Sequence, residues 1–338
     1  MRINQTILEQ IISGSFPMAD LMRKYAVPGA TLAVVQQGEM TYSGAYGVRN
    51  EQNTPMTEGV LFECASLTKS VFALLAMQEV QAGKLDLDAP IAPLLREEPW
   101  SNDPRFLTIT PRQCLRHGCG LPNWQAKPMD MLFDPGTKYS YSGEGYFLLQ
   151  KLIEQIEGKN MNELFKERFF GKYGMESSTA YWTPAVYAAF SVGFAKDGSI
   201  RKIKNERRVS GNAPEPNAAW SLYSYAADYA RFVCGLLNEQ GGLDDKTFAE
   251  MTKPQNQADA NVDWGLGFGM PRADRNVLWH WGDNSGFKSF SVWDKETRNA
   301  VVITTNSDNG MELYIDLLKQ LTDGNYFDDI AAFIRGAE

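Results

Sequence analysis

Apolar residues recur at helical spacing through much of the chain. The clearest pattern predicts a helix over residues 66–82 that stops at Gly83. Its apolar face is formed by Val71, Leu74, Leu75 and Met77. Further helices are predicted over residues 4–25 (interrupted near Gly14 and Pro17), 144–157, 160–170, 224–238, 310–322 and 326–335.

Strand patterns lie at the two ends of the chain. Residues 31–36 and 40–46 predict a hairpin that turns at Gly38-Glu39. Near the C-terminus, strands are predicted over residues 277–281, 287–293 and 300–305. This order indicates an α/β (α+β) fold, in which helices flank an antiparallel sheet built from both chain ends. The predicted division is a sheet domain of residues 1–63 and 262–338, with an inserted, mainly helical domain of residues 64–261.

Composition narrows the classes of function. A length of 338 residues suggests roughly two domains. The net charge of −8 disfavours non-specific nucleic-acid binding. Two His and four Cys, without a CxxC pair, make a metal site improbable, and we expect no cofactor.

The sequence gives limited information on compartment. The N-terminus does not have the pattern of a secretory signal, and the longest clean apolar run, Val71–Met77, is far too short to span a membrane. We therefore expect a cytoplasmic protein if the chain is complete, and a periplasmic or secreted one if its numbering follows signal removal. The oligomeric state stays open.

Candidate chemistry begins with Ser-x-x-Lys, which occurs as Ser66–Lys69, Ser199–Lys202 and Ser285–Lys288. Only Ser66 opens a predicted helix, where residues i and i+3 share a face. The hydroxyl would lie at the positive end of the helix dipole, and Lys69 could serve as its base if its pKa is lowered. An ordinary N-cap serine followed by a solvated lysine fits this motif equally well.

Two other segments carry possible chemistry. Residues 135–146 predict a turn and a polar loop that could hold Tyr141 over a pocket, although a surface loop with packing tyrosines is the simpler interpretation. In residues 279–287, His280 could bind a substrate carboxylate or polarise a leaving group. The simpler interpretation there is a core histidine between two tryptophans.

Taken together, these segments resemble the penicillin-recognising serine hydrolases, which include class C β-lactamases, DD-peptidases and related esterases. The resemblance extends over roughly residues 28–305. It rests on matches in the family's order at residues 62–69, 83–90, 107–122, 218–232, 264–268 and 280–282, together with the Tyr141 loop. It implies a β-lactamase/transpeptidase-like fold with the active site between the two domains.

The resemblance also implies roles for individual residues. Ser66 would be the nucleophile, with Lys69 and Tyr141 as its base system. The backbone N–H groups of Ser66 and Asp283 would form the oxyanion hole. The substrate-binding residues would be His280, Trp281, Gly282, Gly143 and Glu144.

Several positions depart from the family's pattern. Gly143 stands where the family's Tyr-x-Asn motif has Asn, and Glu144 could supply the missing oxygen. Bulky Trp281 replaces a small residue, so it either narrows the pocket, stacks on an acyl group or points into the core. His117 is expected to serve packing or capping. The basic run over residues 201–208 is more simply a solvated arm than a substrate-steering patch.

The function predicted from the sequence is that of a serine hydrolase acting through an acyl-enzyme on an amide or ester. The Gly143 change favours esterase or D-amino-acid peptidase activity over efficient β-lactam hydrolysis. The alternative is a non-hydrolytic relative that binds cell-wall fragments or a similar ligand.

Overall fold

The computed structural model describes residues 1–96, 99–201 and 215–337. Lys202 of the second Ser-x-x-Lys pair and residues 202–208 of the basic run lie outside this range. The helices of the described residues are α1 (Gln5–Ile12), α2 (Met18–Lys24), α3 (Leu67–Gln81), α4 (Pro111–Leu115), α5 (Gly143–Glu157), α6 (Met161–Phe165), α7 (Gly171–Tyr173), α8 (Pro184–Ala189), α9 (Ala226–Glu239), α10 (Asp245–Thr252), α11 (Gly310–Leu321) and α12 (Phe327–Ala337).

The main sheet has eight strands, and every neighbouring pair in it is antiparallel. Its strands, in sheet order, are β2 (Glu39–Gly47), β1 (Gly29–Gln36), β10 (Ala300–Thr305), β9 (Phe287–Asp294), β8 (Val277–Asn284), β7 (Gly269–Pro271), β6 (Val262–Trp264) and β5 (Asn256–Gln257). The N-terminal hairpin joins the C-terminal strands where β1 pairs with β10, with Ala30 opposite Thr305. The predicted sheet built from both chain ends is therefore confirmed.

Alternation along the strands sends side chains to two cores. In β1, Leu32 and Val34 pack with α11 and α12, whereas Ala33 and Val35 face the core that contains α3. This two-residue period follows from the pleat of a strand. Both faces of the sheet are covered by helices, which explains why β1 is almost continuously apolar.

Helix α3 lies at the centre of the molecule. The sequence pattern indicated one apolar face, but the helix is buried on nearly every side, including Lys69, Ser70 and Glu79. A helix surrounded by protein on all sides is characteristic of the interior of a larger fold. The predicted stop is confirmed, because Gly83 has φ +71° directly after the last turn.

The part of the chain between the predicted strands, residues 47–276, also contributes to the sheet. Helix α9 packs against β1 and β10, and β5 to β7 extend the sheet beyond β8. These three strands have two or three residues each, too short for a recognisable alternation in the sequence. The predicted boundaries after residues 63 and 261 stay a prediction. Among the described residues, no helix is both long and apolar enough to cross a membrane.

Candidate active site

The segment before α3 is fastened on both sides. Strand β3 (Phe62–Glu63) pairs with β4 (Tyr223–Ser224), and the Cys64 N–H donates to the Leu222 carbonyl at 2.9 Å. Ala65 then adopts φ +48°, a conformation rare for a residue with a side chain. The resulting sharp turn places Ser66 at the N-cap position, directly before α3.

Strand β8 approaches this turn at close range through Gly282. A Cβ at Gly282 would lie 2.2 Å from the Cys64 carbonyl oxygen, so only glycine fits. The neighbouring strand adds a hydrogen bond from Ser289 Oγ to the same carbonyl at 2.9 Å. The end of β8, including Asp283, is thus held against the turn that carries Ser66.

Lys69 is fully buried beside Ser66. Its Nζ lies 3.1 Å from Ser66 Oγ and donates to the Ala219 carbonyl at 2.8 Å. Ser66 makes no side-chain capping bond to the helix. The alternative of an N-cap serine with a solvated lysine is therefore wrong. Burial lowers the pKa of Lys69 well below its usual range, which favours a neutral amine with a free lone pair.

Tyr141 lies on the other side of Lys69. The ring centroid is 4.7 Å from Lys69 Nζ, and the ring of Tyr146 is 5.6 Å away. Burial raises the pKa of Tyr141; the Ser66 hydroxyl acts in the opposite direction, and the negative charge of Asp283 raises it further. The phenol therefore keeps its proton near neutral pH. Its Oη has no hydrogen bond of normal geometry within the described residues.

His280 is buried on the same side of β8 as Gly282. Its Nδ1 lies 2.7 Å from the Trp281 carbonyl oxygen, so Nδ1 carries the proton and Nε2 is an acceptor. Burial, assisted by Lys69, lowers the pKa of His280 to about 3. The imidazole is neutral and offers no positive charge to a substrate carboxylate.

Trp281 and Asp283 point away from that side. Trp281 is buried in the cluster that contains α12, and its ring centroid is 4.9 Å from that of Tyr141. Of the three positions considered for Trp281, the structure therefore gives packing in the core beside Tyr141. The Asp283 carboxylate forms an ion pair with Lys288. The oxyanion-hole role of the Asp283 N–H stays a prediction.

Comparison with known proteins decides the family. A model of the Beta-lactamase family matches residues 18–323, which is most of the chain. The chain belongs to the Beta-lactamase family.

Proteins similar to this chain carry names of different functions. The chain is 24% identical over 319 residues to a D-aminopeptidase of Gluconobacter oxydans, covering 85% of this chain and 57% of that protein. It is 34% identical over 115 residues to the esterase EstB of Burkholderia gladioli, covering 33% of this chain and 29% of that protein. The chain spans about half the length of the first curated relatives it matches.

A solved penicillin-binding protein from Bacillus halodurans superposes with a TM-score of 0.77 at 18% identity. The match covers 90% of this chain and all of the other. At this identity the likeness establishes the β-lactamase-type fold, in agreement with the antiparallel sheet and flanking helices.

The start of α5 carries Gly143, where the resemblance led us to expect Asn. The Gly143 N–H donates to Asn123 Oδ1 at 2.9 Å, and a Cβ at Gly143 would lie 2.7 Å from the ring of Trp124. Trp124 thus occupies the space of a side chain at residue 143. It is 53% exposed, and sequence reasoning missed it, because its exposure and its place beside Gly143 are properties of the fold.

The Glu144 carboxylate is hydrogen-bonded to a segment other than α3. It accepts the Gln125 N–H at 3.3 Å, and burial raises its pKa. The oxygen that Lys69 does contact belongs to the main chain of Ala219. Sequence reasoning missed this partner, because a backbone carbonyl leaves no residue-type signal.

Within the described residues, no group of three or more His, Cys, Asp and Glu side chains could hold a metal ion.

Proposed function

We propose that this protein is a serine hydrolase that forms an acyl-enzyme at Ser66. The observation that carries this proposal is the fully buried Lys69 with its Nζ 3.1 Å from Ser66 Oγ. A serine is a weak nucleophile until a base accepts its proton, and a desolvated lysine can be neutral enough to do so. The Ala219 carbonyl orients the amine by accepting a hydrogen bond from Nζ.

The reaction then proceeds in two halves. Lys69 takes the Ser66 proton as Oγ attacks the substrate carbonyl, and the Ser66 and Asp283 N–H groups stabilise the negative oxygen that forms. Tyr141, beside Lys69, relays the proton to the leaving group, which departs as an alcohol or amine. In the second half a water molecule attacks the acyl carbon, and the same base system accepts its proton. The bond between that carbon and Ser66 Oγ then breaks, the proton returns to Oγ, and the carboxylic acid leaves.

Esters and D-amino-acid peptides are favoured over β-lactams as substrates. Trp124 fills the place of the amide side chain that the family usually has at residue 143. His280 is neutral, and the positive charge of Lys288 is engaged by Asp283, with Asp308 at 3.7 Å. The β8 side of the site therefore has no unpaired positive charge among these residues to bind the carboxylate of a penicillin. The similarity to a D-aminopeptidase and to an esterase supports this preference.

The test is covalent labelling followed by intact-mass measurement. The protein is treated with a fluorophosphonate and, separately, with a fluorescent penicillin, with Ser66→Ala as the control. The proposal predicts one fluorophosphonate adduct that is absent from Ser66→Ala, together with slow or no penicillin labelling.

Other outcomes would redirect the proposal. If neither probe forms an adduct, the proposed enzymatic function is rejected. The alternative, a non-hydrolytic protein that binds cell-wall fragments, would then be supported. A penicillin adduct that forms fast and persists would contradict the weak penicillin binding expected of this site and would favour D-amino-acid peptidase over esterase activity. Rapid turnover of penicillin would contradict the preference for esters.

A further inference from the structure

His117 has an unusual place in the structure. It follows α4, is fully buried, and holds φ +56°, which is strained for a residue with a side chain. Its contacts converge on one neighbour. We propose that His117 is a positioning residue that fixes Tyr141 beside Lys69.

The first support is a pair of hydrogen bonds on either side of Tyr141. The carbonyl oxygen of His117 accepts a hydrogen bond from the Ser140 N–H at 2.9 Å. The imidazole Nδ1 of His117 accepts one from the Ser142 N–H at 3.1 Å. One residue therefore holds the backbone immediately before and immediately after Tyr141. This double attachment removes most of the local freedom of a loop residue.

The second support is ring packing. The imidazole centroid is 4.1 Å from that of Tyr141 and 5.2 Å from that of Tyr146. Lys69 Nζ lies over both of these tyrosine rings, at 4.7 Å and 5.6 Å. His117 thus packs against the two rings that surround the amine, and its displacement would move the Tyr141 phenol relative to Ser66.

The protonation state argues for positioning over proton transfer. Because Nδ1 accepts the Ser142 N–H, the neutral ring carries its proton on Nε2. Burial lowers the pKa of His117, and Lys69 and His280 act in the same direction. A proton on Nδ1 would break the Ser142 bond, so the residue holds the loop only as a neutral imidazole.

The experiment uses two substitutions that differ in the acceptor. His117→Asn keeps an acceptor, Oδ1, in the place of Nδ1, whereas His117→Leu keeps the branch at Cγ but has no acceptor. The rate of ester acylation and KM are measured for both. We expect His117→Leu to slow acylation by about 10- to 100-fold with KM nearly unchanged. His117→Asn should recover most of that loss.

A second measurement separates positioning from general packing. In a Tyr141→Phe background, His117→Leu should cause almost no further slowing, because the hydroxyl that His117 positions is gone. A packing role alone predicts the same fold-loss in both backgrounds. If His117→Leu does not fold, His117→Gln, which moves the acceptor one bond further out, takes its place.

The outcomes also separate this inference from the proposed function on which it rests. If wild-type Ser66 accepts no fluorophosphonate, the proposed function fails. If Ser66 is labelled but the Asn and Leu variants lose equal activity, or the losses add to that of Tyr141→Phe, only the role of His117 is rejected. A large change in KM at constant kcat would also reject it, because it would indicate a substrate contact.

Discussion

The two sides of the candidate site differ in how closely their residues match the family's pattern. On the α3 side, Ser66, Lys69 and Tyr141 keep the residues of the family's pattern, and each is placed by several independent contacts. On the side formed by β8 and the start of α5, two residues depart from that pattern: Gly143 leaves its space to Trp124, and Trp281 is bulky. His280 matches the pattern but is neutral. If the proposed function holds, the difference means that the base system is kept while the substrate-binding side has changed.

The largest effect should come from the α3 side. Ser66→Ala removes the nucleophile, and we expect kcat/KM for a p-nitrophenyl ester to fall by at least about 10³-fold. Circular dichroism and thermal unfolding should stay close to the wild type, because the hydroxyl makes no capping bond. Residual activity within tenfold of the wild type would contradict the comparison, since Ser66 would then not be the nucleophile.

Lys69→Met should separate activity from stability. Losing the base should slow the reaction by about 10²- to 10⁴-fold. Yet the folded state of the wild type holds Lys69 with a lowered pKa, and the unfolded chain binds a proton there up to about pH 10.4. Between the folded and unfolded pKa values the wild type therefore gains stability as pH rises. A methionine at residue 69 has no proton to lose on folding, so the stability of this variant should not depend on pH in this way. It does leave the Ala219 carbonyl without its hydrogen-bond donor.

The measurement for Lys69→Met is urea unfolding at several pH values. The wild type should gain stability relative to Lys69→Met as pH rises from 7 to 10. Lys69→Arg is the matched control, because a guanidinium stays protonated. This variant should be inactive and less stable than the wild type. A pH-independent difference between wild type and Lys69→Met would indicate that Lys69 is not held neutral.

These two sides also differ in how far the sequence could predict them. The strand pattern at both ends, the helix over residues 66–82 and the family resemblance led to the sheet and to Ser66, Lys69 and Tyr141. The partner at Ala219 and the short strands β5 to β7 were missed, because main-chain contacts and two-residue strands have no side-chain pattern. Trp124 was missed because its contact with Gly143 joins two segments that the sequence alone cannot place in contact.

A smaller effect tests the recognition side at Gly143. Gly143→Asn alone should lower the free energy of unfolding by about 1–3 kcal/mol, because its Cβ would meet the Trp124 ring at 2.7 Å. Trp124→Ala alone should change stability little, since the ring is largely exposed. The double variant should regain only part of the loss, because the Asn123 carbonyl oxygen, 2.9 Å from the same Cβ, remains. Additive stabilities would mean that Trp124 does not limit this position.

The same double variant sharpens the functional contrast. With Trp124 gone and an amide at residue 143, labelling of Ser66 by the fluorescent penicillin should become faster than in wild type or in either single variant. If penicillin labelling stays unchanged while ester hydrolysis is intact, the pair does not set the substrate preference.

The smallest effect concerns His280. Because its pKa is lowered to about 3, the imidazole stays neutral across the range from pH 5 to 9. The pH profile of kcat/KM should therefore have no limb that belongs to His280. Wild type and His280→Gln should give profiles of the same shape even if their absolute rates differ. A limb near pH 6.5 present only in the wild type would show that His280 titrates normally.

The central claim is that buried Lys69 is a neutral base for Ser66, and the pH dependence of fluorophosphonate labelling tests it most directly. The account predicts that the labelling rate of the wild type reaches a plateau well below pH 10.4, and that the rate in Lys69→Met is lower by about 10²-fold or more. A wild-type rate that keeps rising up to pH 10, or a Lys69→Met rate equal to the wild type, would contradict it.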